Sequence, residues 1–267
     1  NTEAVGGFIV TASHNPIEWN GLKFLRKDST FFYSEDCKKL FELVDQDIVL
    51  DDAKEAGMIW PEQNAIQKHV ISCVSISCIN LNRIQKRKFK IVIDAVNGAG
   101  SNALPTLLES LGCEVIELYC EPNGNFARGT EPLPENLHDL RQMVIEHGAD
   151  AGFAVDPDAD RLAIVNETGH PLGEEYTLVI AADGYLKDTG KRERFVVNLS
   201  TSLALEKLAE INNSTVTRSA VGEINVVNKM IEIRSELGGE GNGGVILREC
   251  HLGRDSLIGA TMVLNRM

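Results

Sequence analysis

Short apolar runs alternate along this chain with stretches whose apolar residues recur every three or four positions. The first kind predicts strands and the second amphipathic helices. "VGGFIV" (Val5–Val10) reads as a strand opening into the turn "TASHNP". "SEDCKKLFELVDQDI" places Cys37, Leu40, Phe41, Val44 and Ile48 at helical spacing, with Ser34 as the N-cap. Gly57 and Pro61 then punctuate the chain near a domain boundary. "PEQNAIQKHVISCVSISCINLNRIQKRK" reads as a long helix or as a helix with a β-prone tail, the long helix being favoured.

From Phe89 the alternation is regular. Strand "FKIVIDAV" leads to helix "SNALPTLLESLG", ended by Gly112, and to strand "CEVIELY". Helix "PENLHDLRQMVIEHG" closes at Gly148 before strands "DAGFAVD" and "RLAIVNETG". The grammar restarts with helix "EEYTLVIAADGYLKD", strand "RFVVNL", helix "SLALEKLAEI", strand "STVTRS" and helix "EINVVNKMIEI". "SELGGEGNGGVIL" reads as two short strands around a glycine-rich turn, and "SLIGATMVLNRM" as a helix. Such repetition predicts an α/β protein of tandem α/β/α units with mixed, mostly parallel sheets. The units fall at 62–168 and 169–267, preceded at 1–61 by the remnant of another.

Charge narrows the partners. The 267 residues carry a net charge of −13, which argues against nucleic acid and anionic membranes. It leaves room for small phosphorylated ligands, which local Arg, Lys and backbone N–H groups bind even in an acidic protein. Six cysteines occur without a C-x-x-C pair, as expected of reduced thiols in a cytoplasmic protein. No run approaches the roughly 20 apolar residues of a membrane span, and no signal peptide is visible. The chain opens at Asn1 and stops inside a helical pattern, as expected of a piece of a longer chain.

Three stretches carry candidate chemistry. In "TASHNP", Ser13 is a nucleophile with His14 as base or neighbour, or else Ser, Asn and Pro are plain turn chemistry. In "DPDADR", Asp156, Asp158 and Asp160 stand at i, i+2 and i+4 after an apolar run. In an extended segment they share one side. Their repulsion, on the order of several kcal/mol per close pair, is relieved by a hard dication such as Mg²⁺. A solvated acidic turn is the bland alternative. A calcium loop would take acids at positions 1, 3, 5 and 12, the last being Glu167, but needs Gly where Arg161 stands. In "LGGEGNGGVIL", five glycines in seven residues surround Glu240 and permit close backbone approach to a ligand. "NGAG" (Asn97–Gly100) lacks a complete dinucleotide fingerprint, since Ala103 holds the third glycine's place, and reads better as a turn.

In order, "TASHNP", "DPDADR" and "GGEGNGG" resemble the α-D-phosphohexomutase family, the phosphoglucomutases, phosphomannomutases and phosphoglucosamine mutases. "WNGLKF", "NGNFARGTEPLPENL", "SAVGEINVV" and "HLGRD" extend the likeness over essentially the whole chain. The resemblance implies a phosphosugar mutase that interconverts hexose 1- and 6-phosphates through a phosphoserine at Ser13 and a hexose 1,6-bisphosphate intermediate. It implies Asp156, Asp158, Asp160 and the phosphoserine oxygen of Ser13 as Mg²⁺ ligands, and Lys23 and Arg161 beside the transferring phosphate. The family's residues next to that serine support the phosphate and nearby acid–base chemistry, which makes His14 and Asn15 candidates for the same part. By the same resemblance, Glu240 and Asn242 match residues that contact sugar hydroxyls, and Gly222 and Glu223 match a loop that helps read the sugar's orientation.

Two departures qualify it. Asn242 and Gly244 stand where many relatives have Ser and His. That form resembles the phosphoglucosamine mutase or phosphogluco/phosphomannomutase branch and leaves the preferred hexose open. The family's fourth domain, with its R-x-S-G-T-E-P phosphate grip, and the start of its first have no counterpart here; "RGTEP" (Arg128–Pro132) lies instead before the aspartate loop. The chain alone is therefore expected to be catalytically incomplete. The alternatives are a module that only binds metal and sugar phosphate, or a phosphatase-like hydrolase. No oligomeric state is implied.

Overall fold

The computed structural model describes residues 4–46 and 57–267. At the N-terminal end β1 (Gly6–Val10) pairs antiparallel with β2 (Leu22–Arg26), Val10 facing Leu22, so the "TASHNP" turn lies in the loop joining them. Helix α1 (Ser34–Val44) follows. Ser34 is its first residue rather than its cap: Tyr33 is the N-cap, and its N–H donates to Asp36 Oδ2 at 3.1 Å in the first turn. Ile48 lies outside the described residues.

The long helix favoured for 61–88 is two helices, α2 (Ala65–Val74) and α3 (Leu81–Arg87). The break falls on "SISCIN", where Ser and Asn compete with the helix for backbone hydrogen bonds. Asn80 Oδ1 then accepts the Arg83 N–H at 3.0 Å and starts the second helix.

The first α/β unit contains β3 (Lys90–Asp94), α4 (Gly100–Ser110), β4 (Glu114–Leu118), α5 (His138–His147), β5 (Ala151–Val155) and β6 (Leu162–Asn166). Its sheet has the order β4-β3-β5-β6, parallel except for β6. Every residue of β5 is buried, as a central strand covered on both faces requires. The second unit contains α6 (Glu175–Thr189), β7 (Arg194–Asn198), α7 (Ala204–Ile211), β8 (Thr215–Ser219), α8 (Glu223–Ile233), β9 (Leu237–Glu240), β10 (Gly244–Leu247) and α9 (Ser256–Arg266). Its sheet runs β10-β9-β7-β8, again with one antiparallel strand, β10. The expected α/β class with mixed, mostly parallel sheets is the observed one.

Helix α9 joins the units. Its residues Ser256 to Asn265 are all buried, and it packs against α2, α3 and α4 of the first unit and α6 and β10 of the second. One apolar core therefore runs from Phe89, Leu107 and Phe153 to Phe195, Leu247 and Ile258. That shared core fixes the loops of the two sheets relative to each other. Among the described residues no helix is long and apolar enough to cross a membrane.

Candidate functional site

Ser13 has φ of 55°, in the left-handed region that few non-glycine residues adopt. Its N–H donates to Thr11 Oγ1 at 2.8 Å, while the Asn15 side chain donates to the Ala12 carbonyl at 2.9 Å. Asn15 thus shapes the turn. Thr11 and Thr130 tie the loop to the first α/β unit: the Thr11 hydroxyl donates to Asp158 Oδ2 at 3.2 Å, and that of Thr130 donates to the His14 carbonyl. Backbone strain of this kind persists only where surrounding contacts enforce it.

The aspartate loop is not extended. Pro157 and Ala159 turn it, Ala159 at φ 57°, and the Ala159 N–H donates to the Asp156 carbonyl at 3.0 Å. The three carboxylates still converge, with ligand atoms within 4.8 Å of one another. Convergence comes from a tight turn rather than from strand alternation. Asp156 Oδ1 accepts the N–H groups of Asp160 and Arg161, each at 3.1 Å. Asp156 Oδ2, Asp158 Oδ1 and Asp160 Oδ1 are buried without a hydrogen-bond partner. Buried carboxylate oxygens without hydrogen bonds are costly; Arg161 Nε offsets part of that cost at 3.6 Å from Asp156 Oδ2 and 3.8 Å from Asp160 Oδ1, yet burial together with Asp160 and Asp158 still pushes the Asp156 carboxyl well above the usual range. A hard dication with oxygen ligands fits this set.

Cations surround the loop. Lys23 Nζ lies 2.7 Å from Asp158 and 3.6 Å from Asp160. Burial raises the Asp158 carboxyl, but Lys23 and the Thr11 hydroxyl outweigh it and hold the group below its ordinary value. Arg161 binds Glu131 Oε1 at 2.9 Å and donates to His14 Nδ1 at 2.9 Å. A guanidinium only donates, so that nitrogen is unprotonated; burial and then the Arg161 charge push the imidazole down. The same Nδ1 is 3.3 Å from Ser13 Oγ.

Arg254 links both units. It reaches Asp160 Oδ2 and Glu240 Oε2, each at 2.5 Å, and Glu223 Oε2 at 3.2 Å. Burial raises the Glu223 carboxyl, with Arg254 opposing. Glu240 also accepts from Asn198 Nδ2 at 2.8 Å and, more weakly, from Asn242 at 3.4 Å. Gly222, at φ 110°, precedes Glu223 at the start of α8. Lys23, Asp158, Asp160, Glu223 and Arg254 line one cavity of about 270 Å³.

The expected residues of all three segments thus meet, with Asn15 and Gly222 shaping backbone at the margin. Sequence reasoning missed Arg254, Glu131, Thr11 and Thr130 as members of the network. Arg254 and Glu131 lay inside strings singled out above, but their partners are fixed only by the tertiary fold. The surplus of acids around them was the available signal. "RGTEP" is a brace: Arg128 donates to Asp94 at 2.6 Å and to the Val155 carbonyl at 2.8 Å, behind the aspartate loop.

The fold and the site define a two-unit α/β scaffold with a convergent carboxylate loop where the units meet, and the comparisons place that scaffold in a family. Residues 1–48, 67–169 and 173–267 match the models described as phosphoglucomutase/phosphomannomutase alpha/beta/alpha domains I, II and III. The chain belongs to the phosphoglucomutase/phosphomannomutase family. It is 36% identical over 257 residues to a phosphoglucomutase/phosphomannomutase of Thermococcus kodakarensis, covering 94% of this chain and 55% of the relative. A probable phosphoglucosamine mutase of Methanopyrus kandleri is 32% identical, covering 97% and 56%. The solved structure of a putative phosphomannomutase from Thermus thermophilus superposes with a TM-score of 0.86 at 25% identity, covering 99% of this chain and 60% of that one. The chain spans about half the length of the curated relatives it matches.

Proposed function

We propose that this chain forms the catalytic core of a phosphohexomutase, which moves a phosphoryl group between O1 and O6 of a hexose through Ser13 and a bisphosphorylated sugar. The observation that carries this is the joining of three loops by named contacts: Ser13 through Thr11 to Asp158, and Asp160 through Arg254 to Glu223 and Glu240. Lys23, Asp158, Asp160, Glu223 and Arg254 line one cavity, and Ser13 lines a second with Thr11, Asn15 and Pro157.

When the hexose bisphosphate gives its phosphoryl group to Ser13, the phosphorus–oxygen bond to the sugar breaks and one to Oγ forms. The Ser13 hydroxyl gives its proton to His14 Nδ1, 3.3 Å away and held unprotonated by Arg161, and the departing sugar oxygen takes up a proton to leave as a hydroxyl, so the step is proton-neutral overall. Lys23 and Arg161 offset charge on the phosphoryl oxygens. Asp156, Asp158 and Asp160 would hold Mg²⁺, which supplies Lewis-acid neutralisation of the same oxygens. Glu223, Glu240 and Asn242 face the sugar hydroxyls, whose owner is a glucose, mannose or glucosamine phosphate.

The test is phosphosite mapping of the chain after incubation with glucose 1,6-bisphosphate and Mg²⁺. Label on Ser13, absent in Ser13→Ala, is expected. Label on Thr11, or an equally labelled Ser13→Ala, refutes the assignment.

A further inference from the structure

A second group of metal-type donors lies where the two α/β units meet. His69 and Cys73 stand one turn apart on α2 and so share a helix face. Cys250 and His251 follow β10, and Asp255 caps α9, its Oδ1 accepting the N–H groups of Leu257 and Ile258 at 2.7 and 3.2 Å. The donor atoms of His69, Cys73 and Cys250 lie within 4.8 Å of one another, as do those of His69, His251 and Asp255. His69 belongs to both sets.

We propose that His69, Cys73 and Cys250, with Asp255 closing the fourth position, bind a borderline-soft divalent cation of the Zn²⁺ class, at a site separate from the aspartate loop.

The donor types select the ion. Thiolate and imidazole suit Zn²⁺, whereas Mg²⁺ takes oxygen. The spacing suits it as well. Tetrahedral bonds of about 2.3 Å to sulfur and about 2.0–2.1 Å to nitrogen separate such donors by about 3.5 Å. His69 Nε2 and Cys73 Sγ are 3.6 Å apart. Asp255 Oδ2 now lies 2.6 Å from His69 Nε2, a contact bridged by a proton. An ion replacing that proton spreads the pair to about 3.3 Å; Asp255 lies outside the set formed by His69, Cys73 and Cys250, so its carboxylate also swings toward the two sulfurs on binding.

The surroundings support a closed structural site. Cys73 is fully buried and the Asp255 side chain is 9% exposed. His251 Nε2 lies 2.8 Å from Asp255 Oδ2 and holds the carboxylate in place, as outer partners of metal ligands do. Two segments that share no strand pairing would be clamped together: α2 of the first unit and the loop after β10 of the second. That loop carries Arg254, the residue joining the aspartate loop to Glu223 and Glu240. Occupancy would therefore position Arg254 from behind.

The test uses the reduced, metal-stripped chain titrated with Co²⁺ as a spectroscopic probe, followed by Zn²⁺. We expect one tightly held ion per chain, a thiolate-to-cobalt charge-transfer band, tetrahedral visible bands, and loss of both on adding Zn²⁺. Cys250→Ser and His69→Gln should abolish the charge-transfer band while circular dichroism shows a folded protein. These two variants carry the test because Cys73 sits in the core, where substitution threatens folding. His251→Asn should weaken Co²⁺ binding about 10–100-fold. Asp158→Asn, which damages the aspartate loop, should leave the band intact. A folded wild type without the band, a band surviving in Cys250→Ser, or a Cys73–Cys250 disulfide in protein kept under reductant overturns the proposal.

Discussion

The two four-stranded sheets follow one plan, yet their equivalent loops have opposite character. In each, a central strand (β3 or β7) has parallel neighbours on both sides, and the last strand turns back antiparallel. The turn before that last strand is "DPDADR" in the first unit and "GNG" in the second. One concentrates charge and the other removes side chains. They also touch: the Leu162 N–H donates to the Gly243 carbonyl at 3.1 Å, and the Ser256 hydroxyl donates to the Ala159 carbonyl at 2.7 Å. The same topological slot thus carries converging carboxylates in one unit and a glycine-rich close approach in the other. Fold alone fixes where such a loop sits, while its residues decide what it does.

The largest expected effect separates the two tips by chemistry. Asp158→Asn removes an anion from the first tip and strips Lys23 of its 2.7 Å partner. Phosphoryl transfer to Ser13 should fall about a thousandfold, the scale of one lost preorganised electrostatic group. Asn242→Ala at the second tip, whose side chain makes only 3.3–3.4 Å contacts, should cost about tenfold, roughly one weak hydrogen bond. Single-turnover labelling from glucose 1,6-bisphosphate measures both, and equal losses would erase the distinction.

Arg254→Ala tests whether the tips form one structure. Its side chain is 9% exposed, and its removal leaves Asp160, Glu223 and Glu240 without their shared cation. Breaking a buried pair from one side costs about 3–5 kcal/mol. Urea denaturation should show a loss near the low end of that range, because Lys23 remains beside Asp160. An unchanged midpoint would mean the units are held by α9 and the tip-to-tip hydrogen bond from Leu162 to Gly243, without help from Arg254.

Legibility in the sequence divides along the same line. The strand–helix alternation and the hairpin around "GEGNGG" were readable because period and glycine content are local properties. Strand β2 was not read, since "LKFLR" is short and gains its structure by pairing with β1. The break between α2 and α3 depends on Asn80 capping, which competes weakly against an apolar pattern that continues through it. The three aspartates were legible as a candidate cation site, and they do converge, but that convergence rests on a left-handed Ala159 that alternation does not predict. Arg254 was the hardest, because its partners lie 94, 31 and 14 residues away.

Gly243→Ala probes the second tip's backbone. Gly243 has φ of 89°, and an added Cβ would stand 2.5 Å from the Leu162 carbonyl oxygen. Strained φ alone costs about 1–3 kcal/mol, so a stability loss of about 2 kcal/mol is expected, read by urea denaturation. Ala159→Gly at the first tip should instead lie within about 0.5 kcal/mol of the parent, because relief of the left-handed strain offsets glycine's entropy. If both changes are neutral, the second loop moves freely and its glycines serve no close approach.

The smallest effect is electrostatic and contrasts His14, beside the first tip, with His69 and His251, which flank Asp255. In the metal-free, unphosphorylated chain His14 should titrate below the ordinary 6.5, because burial and the Arg161 guanidinium both disfavour its cation. His69 should titrate above 6.5, its hydrogen bond to Asp255 outweighing burial. His251 should too: burial pulls it down, but the Asp255 carboxylate more than offsets that. Asp255 itself stays ionised, its carboxyl held well below 3.8 by the two histidines despite burial. The signs oppose each other. Stability from neutral His14 is present above 6.5 and lost as pH falls through its folded value. Stability from charged His69 and His251 is present below 6.5 and lost as pH rises through theirs. Imidazole resonances in a nuclear magnetic resonance titration, assigned with His14→Gln and His251→Asn, read all three. A His14 that titrates above 6.5 would place Arg161 away from Nδ1 and remove the proton acceptor assigned to Ser13.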